Sequence, residues 1–148
     1  MTKNKTCKGR KILNRTTATI DPHCLEDRVV VAKLVANPLN LGNIQVYAPT
    51  SDSEDVEIEK FYEEIEKAKG YLKSQDIIIV MGDINANVGD ERVEDVVGPS
   101  GIGTVNERGR GLTEWCPVND FTITNTWYQN YLGDSGLGRA PKIEIETN

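Results

Sequence analysis

Residues 77–91, IIIVMGDINANVGDE, set an apolar run against a turn that is rich in oxygen-bearing side chains. The run IIIVM is short and β-branched, which is typical of a strand that is covered on both faces. Binding and catalytic groups of α/β folds collect at strand ends, so this junction is the first candidate site. The turn offers oxygen atoms from Asp83, Asn85, Asn87, Asp90 and Glu91.

One residue, Ile84, separates Asp83 from Asn85. Alternate side chains of an extended chain point to the same side, so we expect the Asp83 carboxylate and the Asn85 amide to converge on one point. A carboxylate can hold or deprotonate a water, and an amide can donate to an oxyanion. Phosphoester hydrolysis needs both roles. The alternative is that both residues only shape the turn after the strand.

The composition is that of one soluble domain, or of a piece of a larger one. The chain has 148 residues, 38% of them hydrophobic, and no run approaches the roughly 20 apolar residues of a membrane span. No apolar segment follows the basic stretch at residues 3–15, so we expect an intracellular protein, nuclear or cytoplasmic and not secreted. The net charge of −6 argues against coating nucleic acid by charge alone. The basic stretch can bind nucleic acid or be a solvated terminus.

Three cysteines, Cys7, Cys24 and Cys116, are widely spaced and form no C-x-x-C pair. This spacing argues against a zinc site or a redox centre and favours buried or idle thiols.

The first half of the chain predicts a hairpin followed by a helix. Residues 28–35 and 43–49 have strand composition, with a turn of Asn, Pro and Gly between them. The following acidic stretch has apolar residues at helical spacing, with Ser51 and Glu54 placed as a capping box. The apolar positions are Ile58, Phe61, Ile65, Ala68 and Leu72.

The second half of the chain predicts a long loop, a short helix and a strand. Residues 82–111 are rich in Gly, Asn and charge and predict a long irregular loop, of the kind that often carries function. A short helix at 112–116, stopped near Pro117, precedes an alternating strand at 121–126. In the last stretch only KIEIE suggests a further element.

Two binding loops are excluded by their missing parts. Asp83, Asn85, Asn87 and Glu94 fit positions one, three, five and twelve of a calcium loop, but Val88 stands at the sixth position, where glycine is needed, and a strand leads in instead of a helix. The glycines at 101–103 lack the strand that precedes a phosphate-binding loop.

Several short motifs, taken in order, resemble the endonuclease/exonuclease/phosphatase superfamily, and more closely the endonuclease module of non-LTR retrotransposons. The resemblance covers about residues 28–130 and implies an α/β fold, part of a four-layer α/β/β/α sandwich of the DNase I-like type. It also implies cleavage of a DNA phosphodiester with Mg²⁺ or Mn²⁺ as cofactor. The motifs are VYAPT (46–50), VMGDINANVG (80–89), VVGPSGIG (96–103), NERG (106–109) and TNTW (124–127).

The resemblance assigns roles to individual residues. Asp83 matches the aspartate that orients and deprotonates the attacking water, and Asn85 matches the asparagine that assists the nucleophile and the phosphate. Tyr47 matches a tyrosine that hydrogen-bonds near the scissile phosphate; the alternative is a core aromatic. Arg108 and Arg110 can contact DNA phosphates, or can be solvated on a glycine-rich loop.

The chain departs from the family pattern at both ends. The family's metal-binding asparagine and glutamate have no credible match, since Asn14 and Glu26 lack a strand-end context. Near its other end the family has an aspartate-histidine pair that polarises the phosphate. This chain has no match for it, because His23, the only histidine, precedes Tyr47. We therefore expect three segments: a basic N-terminal segment (1–27), a partial endonuclease domain (28–130) and a divergent tail (131–148).

The expected function is that of a nuclease fragment that is inactive alone. The alternatives are another phosphoesterase of the superfamily and a non-catalytic remnant that binds a partner. Exposed strand edges predict non-specific self-association.

Overall fold

The computed structural model describes residues 20–24, 28–128 and 143–147, and describes side chains within 28–128. The chain divides into two compact units, residues 1–81 and 82–148. Within 28–128 no helix has the length and apolar character needed to cross a membrane.

The first unit contains a sheet in the order β1 (Ile20–Cys24), β2 (Val29–Leu34), β3 (Leu41–Tyr47) and β4 (Ile77–Asp83). The last two residues of β4, Gly82 and Asp83, belong to the second unit. The predicted hairpin is confirmed, because β2 and β3 pair antiparallel from Val29↔Val46 to Leu34↔Leu41. Strand β1, which the sequence did not suggest, extends this hairpin by pairing antiparallel with β2.

Helix α1 (Asp55–Lys69) packs on β2 and β3. The predicted apolar stripe is confirmed at Phe61, Ile65 and Ala68, which are buried, each large side chain contributing about 2 kcal/mol through its burial. The predicted capping box is wrong. The N-cap is Glu54 and has no side-chain cap, while the Ser51 hydroxyl lies 3.4 Å from a carboxylate oxygen of Asp52, its neighbour in the preceding turn.

Strand β4 is only partly covered, so the prediction of burial on both faces is wrong. Ile78 and Val80 are buried, but Ile79 and Met81 on the alternate positions are half-buried and Ile77 is 37% exposed. An alternating pattern of this kind belongs to a strand with one well-covered face.

A buried carboxylate joins three segments of the first unit. Asp76 is 5% exposed and pairs with the Lys33 ammonium on β2. It also accepts hydrogen bonds from Asn40 Nδ2 and from the backbone N–H of Lys73, both at 2.9 Å. The hydrogen bond from Lys33, together with these neutral donors, lowers the pKa of Asp76 to about 2 against the opposing effect of burial.

The second unit contains α2 (Glu107–Val118), β5 (Phe121–Ile123), a single 3₁₀ turn (Thr124–Thr126) and β6 (Ile143–Thr147), which pairs antiparallel with β5. Strand β6 confirms the element suggested by KIEIE. Helix α2 starts five residues before the predicted 112 because Asn106 caps it. Its core contacts include Trp115 stacked on Phe121, with ring centroids 5.4 Å apart.

The predicted strand at 121–126 is too long. After Ile123 the chain turns into the 3₁₀ helix, and the Thr126 hydroxyl donates to the Ile123 carbonyl at 2.6 Å. A local side-chain to backbone bond of this kind competes with continuation of a strand.

Candidate functional site

Asp83 and Asn85 meet at the carboxyl end of β4. Asp83 is the last residue of the strand, and its Oδ1 accepts the backbone N–H of Asn85 at 3.2 Å. Asn85 has a φ of 51°, in the left-handed region that asparagine tolerates better than most residues. The chain is therefore not extended between the two residues, as the prediction assumed: it turns at Asn85, and the Asp83 carboxylate accepts the backbone N–H of that turn.

Both residues line one cavity of about 400 Å³ within the second unit. Its wall consists of residues 83–88 after β4, residues 100–103 of the next loop, and residues 106, 125 and 126. The structure thus places both predicted residues on one cavity, while the convergence of the carboxylate and the amide remains a prediction. The roles of the two side chains in catalysis remain predictions.

Asn106 holds the segment after Asp83 against helix α2. Its Oδ1 accepts two backbone N–H groups, from Gly109 at 2.7 Å and from Asn87 at 3.0 Å. In return, its own N–H donates to the Asn87 carbonyl at 2.9 Å. In the sequence Asn106 stood out only as part of the NERG motif, without a role. Asparagine is among the residues favoured at an N-cap, and this was the signal available for the cap.

Two glycines allow the backbone segments of the site to touch. A Cβ on Gly109 would lie 1.9 Å from the Asn87 carbonyl oxygen, and a Cβ on Gly101 would lie 2.0 Å from the Gly89 carbonyl oxygen. No side chain fits at such distances, so both positions require glycine for close approach. The stretch that the sequence showed only as a glycine-rich loop is therefore packed against its own backbone.

The residues before Gly101 are fixed to the 3₁₀ turn by Thr126, which is buried. Its Oγ1 accepts the Gly98 N–H at 2.7 Å, and its carbonyl accepts the Ser100 N–H at 2.8 Å. The TNTW motif, which entered the sequence analysis only as a point of resemblance, thus supplies the anchor for one wall of the cavity.

Tyr47, the third predicted catalytic residue, lies in the first unit at the end of β3 and is 53% exposed. The alternative interpretation, that Tyr47 is an aromatic residue of the core, is therefore wrong. The Arg28 guanidinium lies 5.9 Å from the centre of its ring, within the range of a cation–π contact. Its contact with a phosphate remains a prediction.

The two predicted DNA-contacting arginines lie in the first turns of helix α2 and not on a loop. Arg110 is exposed, whereas Arg108 is half-buried. The alternative placed both arginines on a glycine-rich loop, and this placement is wrong because the loop ends at Asn106, which caps the helix. Contact of either arginine with DNA remains a prediction.

The cavity does not provide the ligands of a magnesium cage by itself. Asp83 is its one carboxylate, and within residues 28–128 no three Asp, Glu, His or Cys side chains gather in a way that suits a metal ion. Mg²⁺ in proteins needs octahedral oxygen ligation, commonly with more than one anionic group. Asn14, His23 and Glu26 lie outside the residues whose side chains are described.

Comparison with solved structures identifies the fold. The endonuclease domain of TRAS1, a telomere-specific non-LTR retrotransposon, superposes with a TM-score of 0.55 at 15% identity, over 86% of this chain and 56% of that domain. An AP endonuclease from Archaeoglobus fulgidus gives a TM-score of 0.45 at 20% identity, over 82% of this chain and 52% of the enzyme. The superposition on the TRAS1 domain shows an α/β, DNase I-like fold, as the motifs implied.

Comparison with curated proteins identifies the relatives. The chain is 38% identical over 112 residues to craniofacial development protein 2 of Bos taurus, which is 76% of this chain and 19% of that protein. It is 35% identical over 112 residues to craniofacial development protein 2 of Tragulus javanicus, which is 76% of this chain and 20% of that protein. The chain therefore spans about a fifth of the length of these relatives. No family model matches it.

Proposed function

We propose that this chain carries the water-activating part of a phosphodiesterase site that acts on DNA. The observation that carries the proposal is the pairing of Asp83 and Asn85 on one cavity at the carboxyl end of β4. Polar groups at the end of a strand, next to a cavity of suitable size, are the usual form of an active site in α/β folds. The fold supports the same class of chemistry.

In the proposed reaction a water attacks the phosphorus atom while the Asp83 carboxylate accepts its proton. The new O–P bond replaces the scissile P–O bond, and the leaving oxygen of the DNA strand takes a proton from solvent. The Asn85 side-chain amide donates to a non-bridging phosphate oxygen as negative charge develops there. The N–H of Asn85, held by Asp83 Oδ1, fixes the geometry between the two groups. Positioning of this kind is a large part of the rate that an enzyme gains.

We include Mg²⁺ or Mn²⁺ as a cofactor in the proposal, and the only support for it is the resemblance of the sequence motifs to the nuclease family. A bound divalent cation would supply charge stabilisation at the phosphate. Because Asp83 is the one carboxylate on the cavity, we propose that these residues alone bind such a cation weakly and that the isolated chain does not cut DNA. DNA as substrate would place this action inside the cell, in the nucleus or the cytoplasm.

Two assays test the proposal. The purified chain should leave supercoiled plasmid intact in Mg²⁺ or Mn²⁺, and nicking that disappears in Asp83→Ala would contradict this. Residues 28–130 transferred into the matching segment of the TRAS1 endonuclease domain should give a chimera that cuts DNA.

In that chimera, Asp83→Asn and Asn85→Ala should each lower the cleavage rate by about a hundredfold or more. Asp90→Asn is the matched control, because Asp90 is exposed in the same loop and is not part of the cavity wall. If Asn85→Ala cut as fast as the parent chimera, the assignment of Asn85 would be wrong. The proposed contact of Tyr47 with phosphate predicts a comparable loss in Tyr47→Phe.

A further inference from the structure

The first unit carries opposite charges at its two ends. Residues 50–57, which precede α1 and form its first turn, contain four carboxylates and no basic residue. Arg28, whose carbonyl accepts the Tyr47 N–H at 3.0 Å, lies at the same end of the sheet and offsets one of these charges. We call this surface the acidic end; its exposed carboxylates belong to Asp52, Glu54, Asp55 and Glu57.

The opposite surface, which we call the hairpin end, is basic. It combines residues 33–41, around the turn between β2 and β3, with residues 69–77, which join α1 to β4. The Ile77 N–H donates to the Asn40 carbonyl at 3.0 Å, and the Asp76 carboxylate bonds to the same asparagine, so the two segments form one surface. The single carboxylate of these segments is that of Asp76, which is buried, against the three ammonium groups of Lys33, Lys69 and Lys73.

The two surfaces are separated by the length of helix α1. The helix rises about 22 Å over its 15 residues, and β3 spans a similar length of about 20 Å. Leu72, just after α1, packs against Gly42 near the start of β3. The start of α1 therefore lies toward the other end of β3, from which residues 48–54 lead into it.

Both surfaces also expose apolar side chains. At the acidic end Val56 is 71% exposed. Complementarity to the helix dipole accounts for acids in the first turn of α1 and lysines in its last turn, but not for apolar groups beside them. Exposed apolar side chains that are grouped within a polar rim mark contact surfaces. At the hairpin end four such side chains are between 37% and 54% exposed: Val35, Leu39, Tyr71 and Ile77.

We propose that the hairpin end of one chain binds the acidic end of a second copy of the same chain. Charge complementarity selects this partner, because each surface presents the charge that the other attracts. Val56 of one copy packs on the apolar side chains of the hairpin end, and the carboxylates around it face Lys69 and Lys73. The two surfaces differ, so the contact is heterologous and every chain offers one surface of each kind. This contact is independent of the proposed function.

Sedimentation equilibrium of the full 148-residue chain under reducing conditions tests the proposal. We expect the mean molar mass to rise with protein concentration at about 0.02 M salt. It should fall toward the mass of a single chain at about 0.5 M salt, where charges are screened beyond about 4 Å. A mass that stays at that of one chain at every concentration would overturn the proposal, and so would association that added salt leaves unchanged.

Charge reversals make the test specific to the two surfaces. Lys73→Glu should weaken the association about tenfold or more, because it replaces an attraction to the acidic end by a repulsion. Glu57→Lys should weaken it to a similar degree from the other side. Arg110→Glu and Glu114→Lys are the matched controls, since both residues are exposed on α2 of the second unit. If the controls weakened the association as much, net charge alone would be responsible and the proposed contact would be wrong.

Leu39→Ser tests the apolar part of the contact. It should weaken the association about fivefold, because the exposed half of this side chain would be buried by the second copy. Val118→Ser removes an exposed apolar side chain from α2 and should leave the association unchanged. Equal affinities of these two variants would contradict the proposal.

Mixing the two charge variants gives the strictest test. Neither variant should associate with itself at the concentration at which the parent does. Their equimolar mixture should form a dimer with about the affinity of the parent contact. The reason is that the hairpin end of the Glu57→Lys chain and the acidic end of the Lys73→Glu chain are both unaltered. A mixture that associates no better than the separate variants would overturn the proposal.

Discussion

Asn87 and Asn106 exchange two hydrogen bonds, from the Asn87 N–H to Asn106 Oδ1 at 3.0 Å and from the Asn106 N–H to the Asn87 carbonyl at 2.9 Å. The same Oδ1 caps α2 through Gly109. One side chain therefore begins the helix and holds the segment that carries Asn85. Stability of the helix start and geometry of the candidate site are coupled through this single oxygen atom.

Substitutions of Asn106 should separate these two roles. Asn106→Ala should lower the free energy of unfolding by about 2 kcal/mol, since it removes the cap and the bond to Asn87. Asn106→Ser should recover about half of this, because serine caps a helix but its shorter side chain does not also reach Asn87. Asn106→Asp keeps an oxygen that can accept both hydrogen bonds and should be close to the parent. Urea unfolding gives the free energies.

Amide hydrogen exchange checks the same series at one position. The Asn87 N–H should exchange faster in Asn106→Ser and Asn106→Ala than in the parent and in Asn106→Asp. If Asn106→Ser protected the Asn87 N–H as well as the parent does, the bond from Asn87 would not depend on the length of the Asn106 side chain.

Two glycines of α2 should respond in opposite directions to alanine. Gly109→Ala should destabilise the protein by about 2 kcal/mol, because its Cβ would lie 1.9 Å from the Asn87 carbonyl oxygen. Gly111→Ala should stabilise it by about 0.5–1 kcal/mol, since nothing lies within 4 Å of the added Cβ and alanine is the better helix former. Urea unfolding of both variants checks this, and equal effects would contradict the close approach at Gly109.

Asp76 should make the stability depend on pH in acid. Its pKa in the folded state is about 2, below the ordinary value of 3.8, so its stabilising contribution is present above about pH 4 and is lost as the pH falls toward 2. The difference in unfolding free energy between the parent and Asp76→Asn should therefore shrink over that interval. Asp52→Asn, at an exposed position, is the control. A difference that stays constant from pH 6 to pH 2 would contradict the pairing with Lys33.

Cys116 should be an unreactive thiol in the folded protein. Burial raises its pKa to about 12, so at pH 8 its thiolate fraction is about a thousandfold lower than that of a free cysteine. In a Cys7→Ser, Cys24→Ser background, alkylation by iodoacetamide should be slow in buffer and fast in urea. Fast alkylation of the folded chain at pH 8 would show that Cys116 is accessible.

The elements with strong periodic patterns could be predicted from the sequence. The β2–β3 hairpin, the buried face of α1 and the strand before Asp83 all depend on the spacing of apolar residues, which the sequence displays directly. Strand β1 could not be predicted this way, because Pro22 and Asp21 are unfavourable in strands and only pairing with β2 makes the segment extended.

The candidate site could be found from the sequence, but its geometry could not. Asp83 and Asn85 stand out because a carboxylate and an amide follow a strand. Their actual arrangement depends on a left-handed residue, and that of the following loop on glycines whose role is contact with another backbone segment. Such contacts join residues far apart in the chain, and no local pattern reports them.

The contact between Gly101 and Gly89 has a consequence for how relatives of this chain can diverge. A side chain at Gly101 would meet the Gly89 carbonyl, and Gly89 itself has a positive φ of 77°, so changes that survive in this loop must fall on its outward residues. Ile102 is such a position, immediately beside a fixed one. The side chain at position 102 can therefore be exchanged during evolution while the backbone segments that support it stay unchanged.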